Sequence, residues 1–273
     1  MGFYSLEQLE IIKSINNHNL IINAVPGSGK TTTALGIADH YYDKNILLLT
    51  YSAKLKNDSR EKKRLQGLDN VEVHSFHSFG VKYINSTCYT DLKLQKALHD
   101  FIEGVENLEN KKNTKKYEIV ENKFSYDIII IDEVQDMVTL YFELLCYIVK
   151  YNTKKFKLCI LGDVKQGIFE FKGASSIFIK KAKEFFNFKF DNSDTSDNFK
   201  ELPLSLSFRL TNPMTKFINS IDPESNIKSC KEGPTVDYLC CNVYNNAGLI
   251  MNKILDCMDK YNYKNDDIFI LAP

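Results

Sequence analysis

The chain lacks a net charge: 35 Lys and Arg balance 35 Asp and Glu. Long-range attraction of the whole molecule to a polyanion is therefore excluded, and a nucleic-acid site has to be a local groove. Arginine is scarce, with only Arg60, Arg64 and Arg209 present. The seven cysteines are odd in number and include no C-x-x-C pair. That pattern excludes a disulfide framework and a zinc ribbon, and it suits a reducing, intracellular compartment. No apolar run approaches the roughly 18 residues of a membrane span, so no membrane partner is expected. The opening MGFYSLEQLE carries acids where a secretion leader would be basic and then apolar. Gly2 suits N-myristoylation, but Leu6 stands where Ser or Thr is needed.

What is present is the composition of a soluble globular protein, 44% hydrophobic and 26% charged over 273 residues, enough for one large domain or two modest ones. Apolar runs at 19–25, 45–52, 71–75, 126–132 and 156–163 have strand character. Amphipathic stretches such as TTTALGIADHYY and MVTLYFELLCYIVKY lie between them. Alternation of doubly apolar strands with helices predicts a parallel α/β sheet covered on both faces, with ligands at the carboxyl ends of the strands. Residues 85–124 read as a small insertion whose latter part is polar and charged. A polar loop at 191–201 marks the best boundary, giving domains 1–202 and 203–273. Helices are expected at 215–221 and 246–261, and further strands at 235–241 and 266–273.

Three stretches carry chemistry. NAVPGSGKTTT follows a strand and opens a helix, and it has phosphate-loop spacing from Ala24, with Ala in place of the first Gly. Backbone N–H groups around Gly27 and Gly29, with the helix N-terminus behind them, suit phosphate oxygens. The ATP-binding candidates are Ala24, Val25, Pro26, Gly27, Ser28, Gly29, Lys30, Thr31 and Thr32, with Lys30 on the β and γ phosphates and the Thr31 hydroxyl on Mg²⁺. The bland reading is a Gly-rich turn with a solvated lysine.

YDIIIIDEVQD drives four isoleucines into Asp132, Glu133 and Asp136. A strand buried on both faces must be apolar, and at its end Asp132 is placed to hold Mg²⁺ and Glu133 to accept a proton from attacking water. Taken alone, such acids equally suit the first turn of a helix. In LCILGDVKQGIFEFKGA, Gln166 is a candidate for orienting water near the γ phosphate. Phe171 and Lys172 combine stacking with charge, as single strands require. Phe169 reads as core, and Phe171 is open between core and stacking.

Taken in order, YSLEQLEII, NAVPGSGKTTT, LLLTYSAKLKNDSREK, HSFHSF, IIDEVQD, GDVKQGIFEFKGA and LSLSFRLTNP resemble the Q motif, motifs I and Ia, the Thr-Phe-His-Ser stretch (with Ser75 for the Thr) and motifs II, III and IV of superfamily 1 DNA helicases of the UvrD/Rep type. The wording leans toward the F-box DNA helicase branch and its viral relatives. The resemblance covers residues 4 to about 213, and motifs V and VI are not in this chain. It implies a P-loop NTPase of RecA-like fold followed by the start of a second RecA-like domain. It also implies ATP hydrolysis with Mg²⁺ and 3′ to 5′ travel on single-stranded or partly duplex DNA. By resemblance Gln8 reads the adenine edge, although Ser5-x-x-Gln8 is also a capping box. Phe208 packs on the base and Arg209 reaches the γ phosphate. Tyr51, Ser52, Ser75, His77, Phe171 and Lys172 line a single-strand track. With the second-domain arginine of motif VI missing, a partner or a C-terminal half is expected to complete the machine. The alternative is a nucleotide- and DNA-binding module with negligible turnover.

Overall fold

In a computed structural model of the chain, which describes residues 4–109, 124–167, 173–190, 193–194, 199–240 and 246–270, the apolar runs become strands. They are β1 (Asn19–Ala24), β2 (Ile46–Thr50), β3 (Val71–Ser75), β4 (Ile128–Ile131) and β5 (Lys157–Gly162). A sixth strand, Phe199–Leu204, pairs with β1, and the order across the sheet is β3-β2-β4-β5-β1 and then this edge strand. Every pairing within the sheet is parallel.

β4 shows why the sequence runs as it does. Ile129 and Ile131 pack into the core on one face, with Phe76, Leu144 and Phe186. Ile128 and Ile130 pack into the core on the other, with Leu20, Ile37 and Leu48. Each fully buried isoleucine contributes about 1.5–3 kcal/mol. A polar residue at any of the four positions would lose that and leave an unpaired group in a core.

Helices α1 (Leu6–Ser14), α2 (Lys30–His40), α3 (Ala53–Gln66), α4 (Phe76–Tyr83), α5 (Asp91–Glu109) and α6 (Thr139–Lys150) connect and cover the strands. Their starts are legible in the sequence: Ser5, Ser52 and Ser75 each cap a helix by accepting a backbone N–H with the side-chain hydroxyl. Residues 110–123 of the expected insertion lie outside the described residues.

The chain divides into two units, Met1–Gly233 and Pro234–Pro273. The first unit runs past the boundary expected at 202/203, because the edge strand crosses that point and hydrogen-bonds to β1. FKELPL is hard to read as a strand. It opens with two adjacent charged residues, Lys200 and Glu201, after Phe199, and contains Pro203, which only an edge position tolerates.

The second unit contains the expected helix, at Ala247–Tyr261. The strands expected at 235–241 and 266–273 are not formed among its described residues. Tyr238, Phe269 and Ile270 are 76%, 91% and 68% exposed there, so apolar sequence alone, without a neighbouring strand to pair with, does not make these segments strands. No helix among the described residues is long and apolar enough to cross a membrane.

Candidate active site

The carboxyl ends of β1, β4 and β5 lie side by side, and the loops that leave them form the site. After β1 the backbone turns through Gly27 (φ 72°) and Gly29 (φ 85°), both left-handed. A Cβ on Gly27 would lie 2.4 Å from Arg209 Cβ, and at Gly29 the left-handed backbone itself strains any side chain. Gly29 is the N-cap of α2, so the helix begins at Lys30 with no side-chain cap on its first N–H groups. A helix start of this kind is an anion site.

Lys30 Nζ sits 3.2 Å from Glu133 Oε2, with both side chains largely buried. Thr31 Oγ1 donates to Asp132 Oδ2 at 3.4 Å. Glu133 adopts φ 57°, an unusual conformation for a non-glycine residue, and such strain costs on the order of 1–3 kcal/mol. It is held by a bond from Glu133 N–H to Asp132 Oδ1 at 3.0 Å. Burial, and then the charge of Glu133, push the Asp132 carboxyl up to about 7, with Lys30 and Thr31 pulling the other way. The same two causes raise Asp136 to about 6. Burial also raises Asp163.

Gln135 joins two loops, a role the sequence reading did not assign to it. Its Nε2 donates to Glu133 Oε2 at 2.7 Å, and its Oε1 accepts from Asp163 N–H at 2.9 Å. The signal was present as the glutamine two residues after Glu133 in DEVQD. Three buried oxygens around these loops, Ser28 Oγ, Asp136 Oδ1 and Asp163 Oδ2, have no hydrogen-bond partner among the described residues. Buried polar groups are rarely left so, and they mark a place shaped for polar company.

A cavity of about 370 Å³ opens here, lined by Gly27 to Thr32, by Leu55, Asp58, Ser59 and Lys62 of α3, and by Glu133, Phe208 and Arg209. The segment 205–210 is fastened to the phosphate loop. Ser207 Oγ donates to the Pro26 carbonyl at 2.7 Å and Phe208 N–H donates to the Gly27 carbonyl at 2.9 Å. Glu7 of α1 accepts from the backbone N–H groups of Ser205 and Leu206. Ala24 ends β1 in the core, and Val25 N–H donates to the Leu204 carbonyl of the edge strand.

A family model described as an AAA domain matches residues 8–172, more than half of the chain. The chain belongs to the AAA domain family. Over 105 residues, 38% of this AAA-domain chain and 8% of the relative, it is 40% identical to an ATP-dependent helicase/nuclease protein of Lactobacillus acidophilus. It is 26% identical over 99% of its own length, and 38% of the relative's, to a protein of Acanthamoeba polyphaga mimivirus named as a putative ATP-dependent DNA helicase. The chain thus spans well under half the length of these relatives. Among solved structures, Pif1 helicase from Candida albicans aligns with 89% of this chain and 50% of its own at 17% identity, with a TM-score of 0.45. Arterivirus nonstructural protein 10, a helicase solved with DNA, aligns with 85% of this chain and 46% of its own at 12% identity, with a TM-score of 0.46.

The remaining candidate residues of this AAA domain scatter more widely. Gln8 is 2% exposed. Its Oε1 accepts from Ser5 N–H, and its Nε2 faces the Ser28 carbonyl at 3.5 Å. The amide is thus engaged by the cap and the phosphate loop, and Gln8 is not among the cavity-lining residues. Gln166 lies in the turn after β5, its N–H donating to the Asp163 carbonyl, and it too is not among them. Tyr51 meets Tyr141 edge-on at 6.1 Å. The hydroxyls of Ser52 and Ser75 serve as helix caps. His77 Nε2 lies 2.9 Å from Asp91 Oδ1. Phe169, Phe171 and Lys172 lie outside the described residues.

Proposed function

We propose that this chain is the ATP-binding part of a DNA helicase of the UvrD/Rep type, leaning to the F-box and viral branch, that travels 3′ to 5′ on single-stranded DNA. The observation that carries the reading is the convergence of Lys30 and Thr31 on Glu133 and Asp132, residues a hundred positions apart in sequence, beside an anion-binding helix start. Support for the branch comes from the mimivirus relative, which matches along 99% of the chain. The second unit, from Pro234 onward, is proposed to begin a second RecA-like domain, whose remaining motifs a C-terminal half or a partner would supply.

On this reading the triphosphate lies along the N–H groups of Gly27 to Thr31. Lys30 leaves Glu133 for the β and γ oxygens, and Arg209, carried beside Gly27, meets the γ phosphate. An arginine suits that interaction because its planar fork is permanently charged. Lys30, Glu133, Gln166 and Arg209 form the proposed catalytic set. Freed of Lys30, Glu133 takes a proton from the attacking water, with its carboxylate aimed by Gln135. Gln166 stands in the neighbouring loop to sense the γ phosphate.

Thr31 and Asp132 are hard oxygen donors. The orphaned oxygens nearby, and the cost of keeping Asp132 ionised in the core, suit a divalent cation. Mg²⁺ binds proteins through one or two such groups together with substrate phosphates, and when bound it supplies charge neutralisation of the phosphoryl oxygens.

Steady-state ATP hydrolysis with and without oligothymidine tests the reading. DNA-stimulated turnover is expected from a form that contains the remaining motifs, and absence of stimulation there sinks it. Partial duplexes with a 3′ or a 5′ tail test polarity: unwinding is expected with the 3′ tail, and unwinding confined to the 5′ tail would overturn the direction.

A further inference from the structure

Two of the chain's three arginines are close together, outside the nucleotide cavity. Arg60 and Arg64 of α3, with Lys63 between them and Lys82 of α4, line a second cavity of about 530 Å³ along β3, the outermost strand of the sheet. It shares no residue with the nucleotide cavity. Two carboxylates, Glu72 and Asp69, also line it. Glu72 is already committed: it accepts from Tyr83 at 2.6 Å and Tyr126 at 3.1 Å, and lies 3.2 Å from Lys82 and 3.3 Å from His74.

Arg60, Arg64 and Lys82 are exposed and Lys63 is half-buried, but Arg60 is anchored. Arg60 Nε donates to the Val73 carbonyl on the open edge of β3 at 2.8 Å, which orients its fork. Lys63 and Arg64 stand in the last turn of α3, where a helix end favours cations anyway. The same preference covers Lys82, in the last turn of α4 and paired with Glu72, but it does not account for Arg60 a turn earlier in α3. The next residue after the cavity's His74 is Ser75, the first member of the proposed single-strand track on β3 and α4.

We propose that this cavity binds backbone phosphates of a single nucleic-acid strand, extending the proposed track beyond Ser75 and His77 along the sheet edge. In a molecule of zero net charge, attraction for a polyanion must come from such a local cluster. Arginine forks match phosphate oxygens in pairs, whereas lysines act as point charges. A strand with repeating charges can engage several of the four cations together, which an isolated carboxylate cannot. The proposal rests on the helicase reading for the identity of the strand, and on the cavity alone for its phosphate chemistry.

The test is anisotropy of fluorescein-labelled oligothymidine with the full chain, at salt from about 50 to 200 mM. The double variant Lys63→Gln/Arg64→Gln is compared with the wild type, and Arg64→Glu replaces it if the double variant does not fold. Affinity is expected to fall about three- to tenfold. The slope of log affinity against log salt should become shallower by about 0.7 for each phosphate of the single strand that is no longer neutralised. Binding of a fluorescent ATP analogue, measured on the same samples, should be unchanged. An unchanged slope overturns the proposal. So does sub-millimolar uptake of inorganic phosphate that the variant loses while its oligothymidine affinity stays at the wild-type value, because the cavity is then a free-phosphate site. If the wild type shows the expected oligothymidine binding but takes up no nucleotide, the helicase reading fails and the cavity's assignment stands.

Discussion

Lys30 and Glu133 form an ion pair at 3.2 Å inside the cavity beside the phosphate loop. On the proposed function the two groups compete for roles: the cation would be needed by phosphate, and the carboxylate would be needed free to take a proton. Glu133→Gln removes the competitor for Lys30 and the proton acceptor together. Nucleotide affinity is expected to hold or rise, while hydrolysis in an assembly containing the remaining motifs falls about 10²–10⁴-fold. Titration with a fluorescent ATP analogue and steady-state phosphate release check this. Loss of binding would show that Glu133 is not the base. Lys30→Ala should abolish nucleotide binding outright.

Gln135 leads to a subtler expectation. It holds Glu133 with one end of its amide and Asp163 N–H with the other. Gln135→Leu keeps the volume and removes both bonds. The Glu133 carboxylate then loses its orientation, while the phosphate loop is untouched. A drop in kcat of about tenfold with KM nearly constant is expected, the signature of an interaction made in the transition state. A rise in KM at constant kcat would place Gln135 in substrate binding instead.

How far the sequence reaches can be judged element by element. β4 was legible because four isoleucines ending in Asp132 and Glu133 leave a doubly buried strand few alternatives, and the phosphate loop was legible because its spacing and glycines are dictated by backbone geometry. The strand Phe199–Leu204 was not, since Lys200, Glu201 and Pro203 break its apolar pattern and its place is set by β1, about 180 positions away. Gln135 was missed for a related reason. Its partners lie on two different loops, and only the parallel pairing of β4 with β5 brings them together. Gln8 shows the opposite case. Its capping box was visible in the sequence, and that local bond engages the amide that the resemblance assigned to adenine.

Ser207 is fully buried, and its hydroxyl serves three backbone groups. It donates to Pro26 and accepts from the N–H groups of Arg209 and Leu210. Ser207→Ala leaves all three without that partner, a loss of about 1–3 kcal/mol, and releases Arg209 from the phosphate loop. If Arg209 reads the γ phosphate, ATP affinity should fall while ADP affinity stays, and Ser207→Thr should restore the difference. Glu7→Gln should act in the same direction more weakly, because Glu7 holds the chain two positions upstream. Calorimetric titration with both nucleotides separates the outcomes. Equal losses for ATP and ADP would reduce the latch to a purely structural role.

Glu72 predicts a pH dependence of stability remote from the active site. Its bond with His74, then those with Tyr83 and Lys82, hold its carboxyl well below the usual carboxylate range despite partial burial. The unfolded chain restores the ordinary value of about 4.3. A depressed folded value means that the contribution is whole above about pH 5 and is lost as pH falls toward that depressed value. Because Glu72 is 39% exposed, solvent screening limits the contribution to about 1 kcal/mol. Glu72→Gln should therefore lower the unfolding midpoint at pH 7 by about 2–4 °C. The difference from the wild type should narrow steadily as pH drops from about 5 toward 2. Thermal melts across that range check the sign, and a gap that stays constant with pH would mean that Glu72 acts through packing and neutral hydrogen bonds alone.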